Sequence, residues 1–163
     1  MKKWLTFSLA ICLVITILAT AFAYHVVRSP INEGFQKARS FSYDIGMNEI
    51  AAIDYYFGTE AYYVVEGLDE NGEEAILWIR EDFSFYDLAR KADGITREEA
   101  LSILEREEQF ETVKSIKLGY ERGLPIYEIV YETLDERLGY YYVTFTDGTF
   151  MKKYVLRKEG IFF

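Results

Sequence analysis

Residues Leu5 to Ala23 form the first distinct block of the hydrophobic pattern. They carry no charge, and only Thr6, Ser8, Thr16 and Thr20 add polarity. At a rise of about 1.5 Å per residue, these 19 residues predict a helix roughly 28 Å long, the thickness of a bilayer's hydrocarbon core. Lys2 and Lys3 precede the run, and Trp4 and Tyr24 flank it as interfacial aromatics. The expectation is a single-pass anchor in the plasma membrane through residues 5–23, N-terminus in the cytoplasm and the remainder outside. His25 and Arg28 on the far side make the charge asymmetry modest. The competing reading is a cleaved signal peptide, because Ala21-Phe22-Ala23 has the small-x-small form of a cleavage site. The apolar run exceeds the usual signal core of about 7–15 residues, which favours the anchor; cleavage after Ala23 stays open. Lipidation at Cys12 is rejected, since Ile11 stands where a small residue is required.

Beyond the anchor the pattern alternates between helical and strand periods. Ser29-Pro30 suits a helix start, and Phe35, Ala38 and Phe41 recur at helical spacing, predicting a helix over Pro30 to Ser42. A weak strand follows at Glu49 to Phe57. A hairpin is then predicted from Ala61–Gly67 and Glu74–Arg80 around Asn71-Gly72. On its second strand Ala75, Leu77 and Ile79 share one face and Ile76 and Trp78 the other, so that strand should be covered on both sides. Phe83 to Gly94 is read as a connection with a short helical turn at Tyr86 to Lys91. The strongest helix opens at Thr96, where Thr96 and Glu99 form a capping box. Ile95 and Ala100 supply a hydrophobic staple, and Ala100, Leu101 and Leu104 the buried stripe; the helix should end near Glu108. Strands are predicted at Glu111–Gly119, Ile126–Thr133 and Gly139–Phe145, then a two-residue turn at Asp147-Gly148 into Thr149–Leu156.

The two halves share V-x-E-x-L-D-E at an offset of 66 residues: Val64, Glu66, Leu68, Asp69 and Glu70 against Val130, Glu132, Leu134, Asp135 and Glu136. The same offset brings both helix starts together and pairs Phe35 with Leu101 and Ala38 with Leu104. The fold class is therefore α+β. An N-terminal transmembrane helix (residues 1–28) precedes two small helix-on-antiparallel-sheet units, at residues 29–93 and 94–163.

Charge and residue usage narrow the chemistry. Setting aside Lys2, Lys3 and Arg28 leaves 15 basic residues against 27 acidic ones, a balance near −12 for the exported part. That disfavours nucleic acid and anionic lipid, and is compatible either with plain solubility or with a basic partner surface. Cys12 is the single cysteine, so no disulfide framework exists. His25 is the single histidine and sits at the membrane edge, where an ordinary polar residue is the simpler reading. No Ser-x-x-Lys, no His-Glu-x-x-His and no thiolate cluster occur. The Asp69 to Glu74 turn lacks calcium-loop spacing. A carboxylate pair of a glycoside hydrolase cannot be picked from 27 acidic residues and is the weakest option. No catalytic residue, metal or cofactor is expected. The candidates for binding are aromatic: Tyr55, Tyr56, Phe83, Phe85, Tyr140 and Tyr142, in clusters of which alternation should bury about half. Their exposed members suit either an interface or a contact between the two units.

The second half resembles a PepSY-type module, through Ile95-Thr96-Arg97-Glu98-Glu99-Ala100, Tyr127 to Tyr131, Tyr140 to Phe145 and Asp147-Gly148-Thr149. It departs from that pattern at the last turn, where an Asp-x-x-Thr-Gly order is commoner. With the anchor and the Tyr62-Tyr63-Val64-Val65-Glu66-Gly67 strand, the whole chain resembles the TseB-like (YpmB) family of Gram-positive bacteria. The resemblance implies two cystatin-like units outside the cell and a non-enzymatic regulator of cell-wall elongation associated with an envelope partner, a penicillin-binding transpeptidase. The alternative it leaves is a PepSY-type inhibitor of an extracytoplasmic peptidase.

Overall fold

The computed structural model of the chain describes residue 13, residues 15–20 and residues 32–157. It divides into two compact units, Met1–Lys37 and Ala38–Phe163. In the first, residues 15–20 and 32–37 are helical, with Ile15, Ile17 and Leu18 exposed. Among the described residues no helix is long and apolar enough to cross a membrane. Most of the predicted anchor, with Cys12, Ala23, His25 and the Ser29-Pro30 start, lies outside the described residues.

The second unit is α+β, with two antiparallel four-stranded sheets and few helices. The helix over residues 32–44 (α1) enters this unit at Ala38 and ends two residues beyond the predicted end at Ser42. Strands β1 (Met47–Phe57), β2 (Ala61–Asp69), β3 (Glu74–Arg80) and β4 (Tyr86–Arg90) form the first sheet in sequential order. A 3-10 turn, Lys91–Asp93, leads to α2 (Arg97–Glu107). Strands β5 (Phe110–Glu121), β6 (Leu124–Thr133), β7 (Leu138–Thr144) and β8 (Phe150–Val155) form the second sheet, again in sequential order.

Local chemistry accounts for most of these boundaries. The Thr96 hydroxyl accepts from the Glu99 amide at 3.1 Å, while the Glu99 carboxylate accepts from the Thr96 amide at 2.7 Å, so the predicted capping box is present. Thr96→Ala is expected to cost about 1 kcal/mol in urea unfolding, since it removes one acceptor at an otherwise unsatisfied helix start. The stripe of α2 buries Ala100 and Leu104 fully, and Leu101 in part.

The helical turn read over Tyr86 to Lys91 is instead strand from Tyr86 to Arg90, and helical turn begins only at Lys91. Tyr86, Asp87, Leu88, Ala89 and Arg90 pair in register with Ile79, Trp78, Leu77, Ile76 and Ala75. Five residues are too few to show a period of their own, and β3 supplies the ladder that decides. The Asp147-Gly148 turn is also wider than two residues: Thr144 donates its amide to the Thr149 carbonyl, so Phe145 to Gly148 all lie in the loop. Phe145 leaves the ladder because its ring is buried and its backbone links Pro125 to Ile95.

Each half is a helix followed by a four-stranded meander, and the halves even share their irregularities. Register slips between Met47 and Glu49 and between Ile50 and Ala52, then again between Phe110 and Thr112 and between Val113 and Ser115. The following turns close alike, from the Asp69 amide to the Glu73 carbonyl and from the Thr133 amide to the Arg137 carbonyl. These equivalences lie 63 residues apart on the first strands and 64 on the second. The V-x-E-x-L-D-E match at 66 is therefore two residues out of structural register. It reflects two strands of similar composition, each running into an acidic turn.

One core joins the two sheets. Tyr62, Val64, Ile76 and Trp78 of the first share a cluster with Leu118, Tyr120, Tyr127, Ile129 and Phe145 of the second half. The opposite face of the first sheet meets α1 and the β3–β4 loop, where Phe41 lies edge-on to Phe83 and Tyr86. Strand β3 is thus covered on both faces, as its two apolar faces required, with Ile76, Leu77, Trp78 and Ile79 all at 0% exposure.

Candidate binding surface

The six aromatic candidates separate into three environments. Tyr55 and Phe83 lie on the α1 side of the first sheet. Tyr55 meets Tyr63 edge-on and donates to Glu81 at 2.9 Å; burial, then that carboxylate, push its phenol up to about 12. Phe83 stacks on Tyr63 and holds a left-handed backbone, φ 60. Phe85 projects from the β3–β4 loop beside Tyr120, with ring centroids 5.5 Å apart. Tyr56, Tyr140 and Tyr142 gather on or over the helix-free face of the second sheet. Tyr140 stacks on Tyr154 at 4.7 Å, and Tyr142 shares hydrogen bonds with Glu128 and Tyr154. Tyr56 and Tyr142 are buried, with their hydroxyls held by Glu121 and by Glu128 and Tyr154 respectively.

What links these environments is Glu121, at the end of β5. Its carboxylate is 2% exposed and accepts four hydrogen bonds. Tyr56 O–H and the Thr59 amide donate to Oε1 at 3.1 and 2.8 Å; the Thr59 hydroxyl and the Lys152 ammonium donate to Oε2 at 3.0 and 3.1 Å. The Lys152 ammonium also sits 4.3 Å from the centre of the Tyr142 ring. Burial alone would raise the Glu121 carboxyl. The Thr59 amide, Lys152 and the Thr59 hydroxyl outweigh it and hold the group below its ordinary value, hence ionised. Burial, then the neighbouring carboxylate, push the Tyr56 phenol well above the usual range, which keeps it a donor.

This hub needs two glycines. A Cβ on Gly58 would stand 2.0 Å from the Glu121 Oε1, and one on Gly119 would stand 2.5 Å from the Tyr56 ring. The β1–β2 loop and the ring of Tyr56 can therefore lie flat against β5 only at residues without side chains. β5 is an edge strand of the second sheet, and the first sheet wraps it: Leu118 and Tyr120 meet one side of that wrap, Gly119 and Glu121 the other.

As a result three loops are held together at one end. The β1–β2 loop and the β3–β4 loop are neighbours through the Glu81 amide and Ala61 carbonyl, and the end of β5, which leads into the β5–β6 turn, joins them through Glu121 to Thr59 and Tyr120 to Asp87 at the start of β4. Sequence reasoning missed this hub. Nothing in the spacing singles out Glu121 among 27 acidic residues; the signal available was two glycines, Gly58 and Gly119, beside or inside aromatic strands.

Among the described residues no group of three or more His, Cys, Asp or Glu side chains is placed to hold a metal. The acidic turn after β2 is closed on itself: Asp69 accepts from the amides of Asn71 and Glu73.

A family model described as "Cell wall elongation regulator TseB-like domain" matches residues 45–80, from the end of α1 through β3. The protein named "Probable cell wall elongation regulator TseB" from Bacillus subtilis (strain 168) is 26% identical over 155 residues. That alignment spans 93% of this chain and 96% of the relative. The chain is thus similar to the TseB-like family, through that matched segment and through a relative aligned along nearly its whole length. A solved structure, "YpmB protein from Bacillus subtilis", superposes with a TM-score of 0.65 at 24% identity, over 68% of this chain and 88% of that one. This second likeness is one of fold. The TseB-like model ends at Arg80, so Glu121 and Lys152 lie beyond the matched residues, while Tyr56 and Thr59 lie within them.

Proposed function

We propose that this TseB-like chain is a non-catalytic, membrane-anchored regulator of cell-wall elongation that works by binding a penicillin-binding transpeptidase outside the plasma membrane. The observation that carries the reading is the near end-to-end correspondence with a protein named as an elongation regulator. The chemistry of the hub agrees with it: every oxygen of the buried Glu121 carboxylate is already engaged, so the group braces loops and offers no free acid or base. The anchor is residues 5–23, whose length and lack of charge suit a bilayer core.

In-cell crosslinking of the tagged full-length protein, followed by mass spectrometry, tests the proposal. The expected result is reproducible capture of an elongation-type transpeptidase, lost when the exported part is deleted. Capture of a peptidase instead, with inhibition of its proteolysis by the purified protein, would replace the regulator with an inhibitor.

A further inference from the structure

The three loops held together at the Glu121 end present apolar side chains to solvent. Phe57 is 77% exposed at the end of β1, the most exposed large apolar side chain among the described residues of the second unit; Leu124, first residue of β6, is 47% exposed and Phe85 in the β3–β4 loop 37%. An aromatic ring left in water at a loop tip is ordinary when the loop is loose. Here the loop is tied down. Thr59, two residues from Phe57, gives both its amide and its hydroxyl to a buried carboxylate, and Leu124 sits three residues after that carboxylate. Among the described residues, two of the three non-glycine residues with positive φ are at the same end, Phe83 at 60 and Arg122 at 52. Strain of this kind concentrates where a surface is shaped for a task. A buried charge costs desolvation that an apolar core would avoid, and its return is a fixed geometry.

The geometry points to this loop end, Phe57 with Leu124 and Phe85, as the surface that inserts into an apolar cleft with a basic rim on the envelope partner. The inference rests on the binding reading above and adds the surface and the chemistry of what receives it. Charge selects among the occupants. Glu60, Glu81 and Asp82 surround the tips and outnumber Arg80 and Arg122, and Arg80 is itself shared between Glu60 and Asp82. An anionic lipid surface is repelled by that set. A second copy would bring the same acidic ring against itself, on a chain whose net charge is already −9. A partner with lysine or arginine around an apolar cleft meets both features.

The test places a photoreactive phenylalanine analogue singly at Phe57, Leu124, Leu134 and Tyr154 of the full-length protein in the envelope of a Gram-positive host. Leu134 is a fitting control, being 62% exposed in the β6–β7 turn. Adducts from positions 57 and 124 should map to one partner, on peptides with lysine or arginine close by, and none should form from 134. Phe57→Ser with Leu124→Ser should cut capture roughly tenfold. Leu134→Ser should not, and the melting temperature should stay unchanged in both variants, because these side chains lie outside the core. Capture through Tyr154 or Leu134 alone would overturn this surface and leave the binding reading standing. Adducts to lipid or to a second copy would overturn the choice of occupant. No adduct from any of the four positions would overturn both.

Discussion

Glu121→Gln is expected to lower the free energy of unfolding by about 2–4 kcal/mol, read as a shift in the urea midpoint at unchanged slope. Glutamine keeps the size of the side chain but loses the charge that Lys152 pairs with, and it turns one acceptor oxygen into a donor facing either Thr59 and Tyr56 or Thr59 and Lys152. Lys152 keeps some access to water, with a side chain 29% exposed, which holds the loss below that of a fully buried unpaired charge. The effect has a pH signature. The folded protein holds the Glu121 carboxyl below its ordinary 4.5, so its contribution is complete above that pH and is lost as pH falls through the folded value. The gap between wild type and variant should be constant at neutral pH and close in acid. Asp69, Asp82, Asp135 and Asp147 are lowered in the same direction by turn hydrogen bonds, so wild type alone would show a broader acid loss; only the difference isolates Glu121. A gap that persists unchanged into acid would mean that glutamine harms packing and that the charge itself contributes nothing.

Trp78→Ala should be at least as costly, about 3–5 kcal/mol. Its indole is fully buried between the halves, edge-on to Phe145 at 5.5 Å and 6.4 Å from Tyr120. No backbone neighbour can fill the space, because β3 is paired on both sides, with β2 and β4. Trp78→Phe should cost far less. The indole Nε1 is buried without a hydrogen-bond partner, so phenylalanine forfeits volume but no polar contact. Because the core cluster includes residues of both sheets, far-ultraviolet dichroism and tyrosine fluorescence should report one coincident transition for wild type. Separate transitions for the two halves would show that the shared core does not couple them.

The legible parts of this fold were those decided within a few residues. The capping box at Thr96 and Glu99, the Asn71-Gly72 hairpin, and the two apolar faces of β3 are local facts, and each appears in the structure where the residues placed it. The misreadings have one origin. Tyr86 to Arg90 became a strand because β3 offered a ladder, Phe145 left its hairpin because a distant core received its ring, and the repeat moved by two residues because bulges, not identities, set the register. The aromatic candidates were partly legible as well. Alternation implied that about half would be buried, and Tyr56 and Tyr142 are, but it could not say which faces a second sheet would cover.

By itself, then, the chain's pattern determined the α+β class, the sequence of helix and meander repeated twice, the acidic balance and the absence of a disulfide framework. All of these depend on composition or on periods of two and 3.6 residues. Only the tertiary structure decided that one core joins both halves, that Gly58 and Gly119 admit Tyr56 and Glu121 into a single hub, and that Phe57, Phe85 and Leu124 emerge together at one end. Tyr56 and Glu121 are 65 positions apart, and Glu121 and Lys152 another 31. No local period relates such residues; burial brings them together, and a buried carboxylate is retained there because four donors meet it.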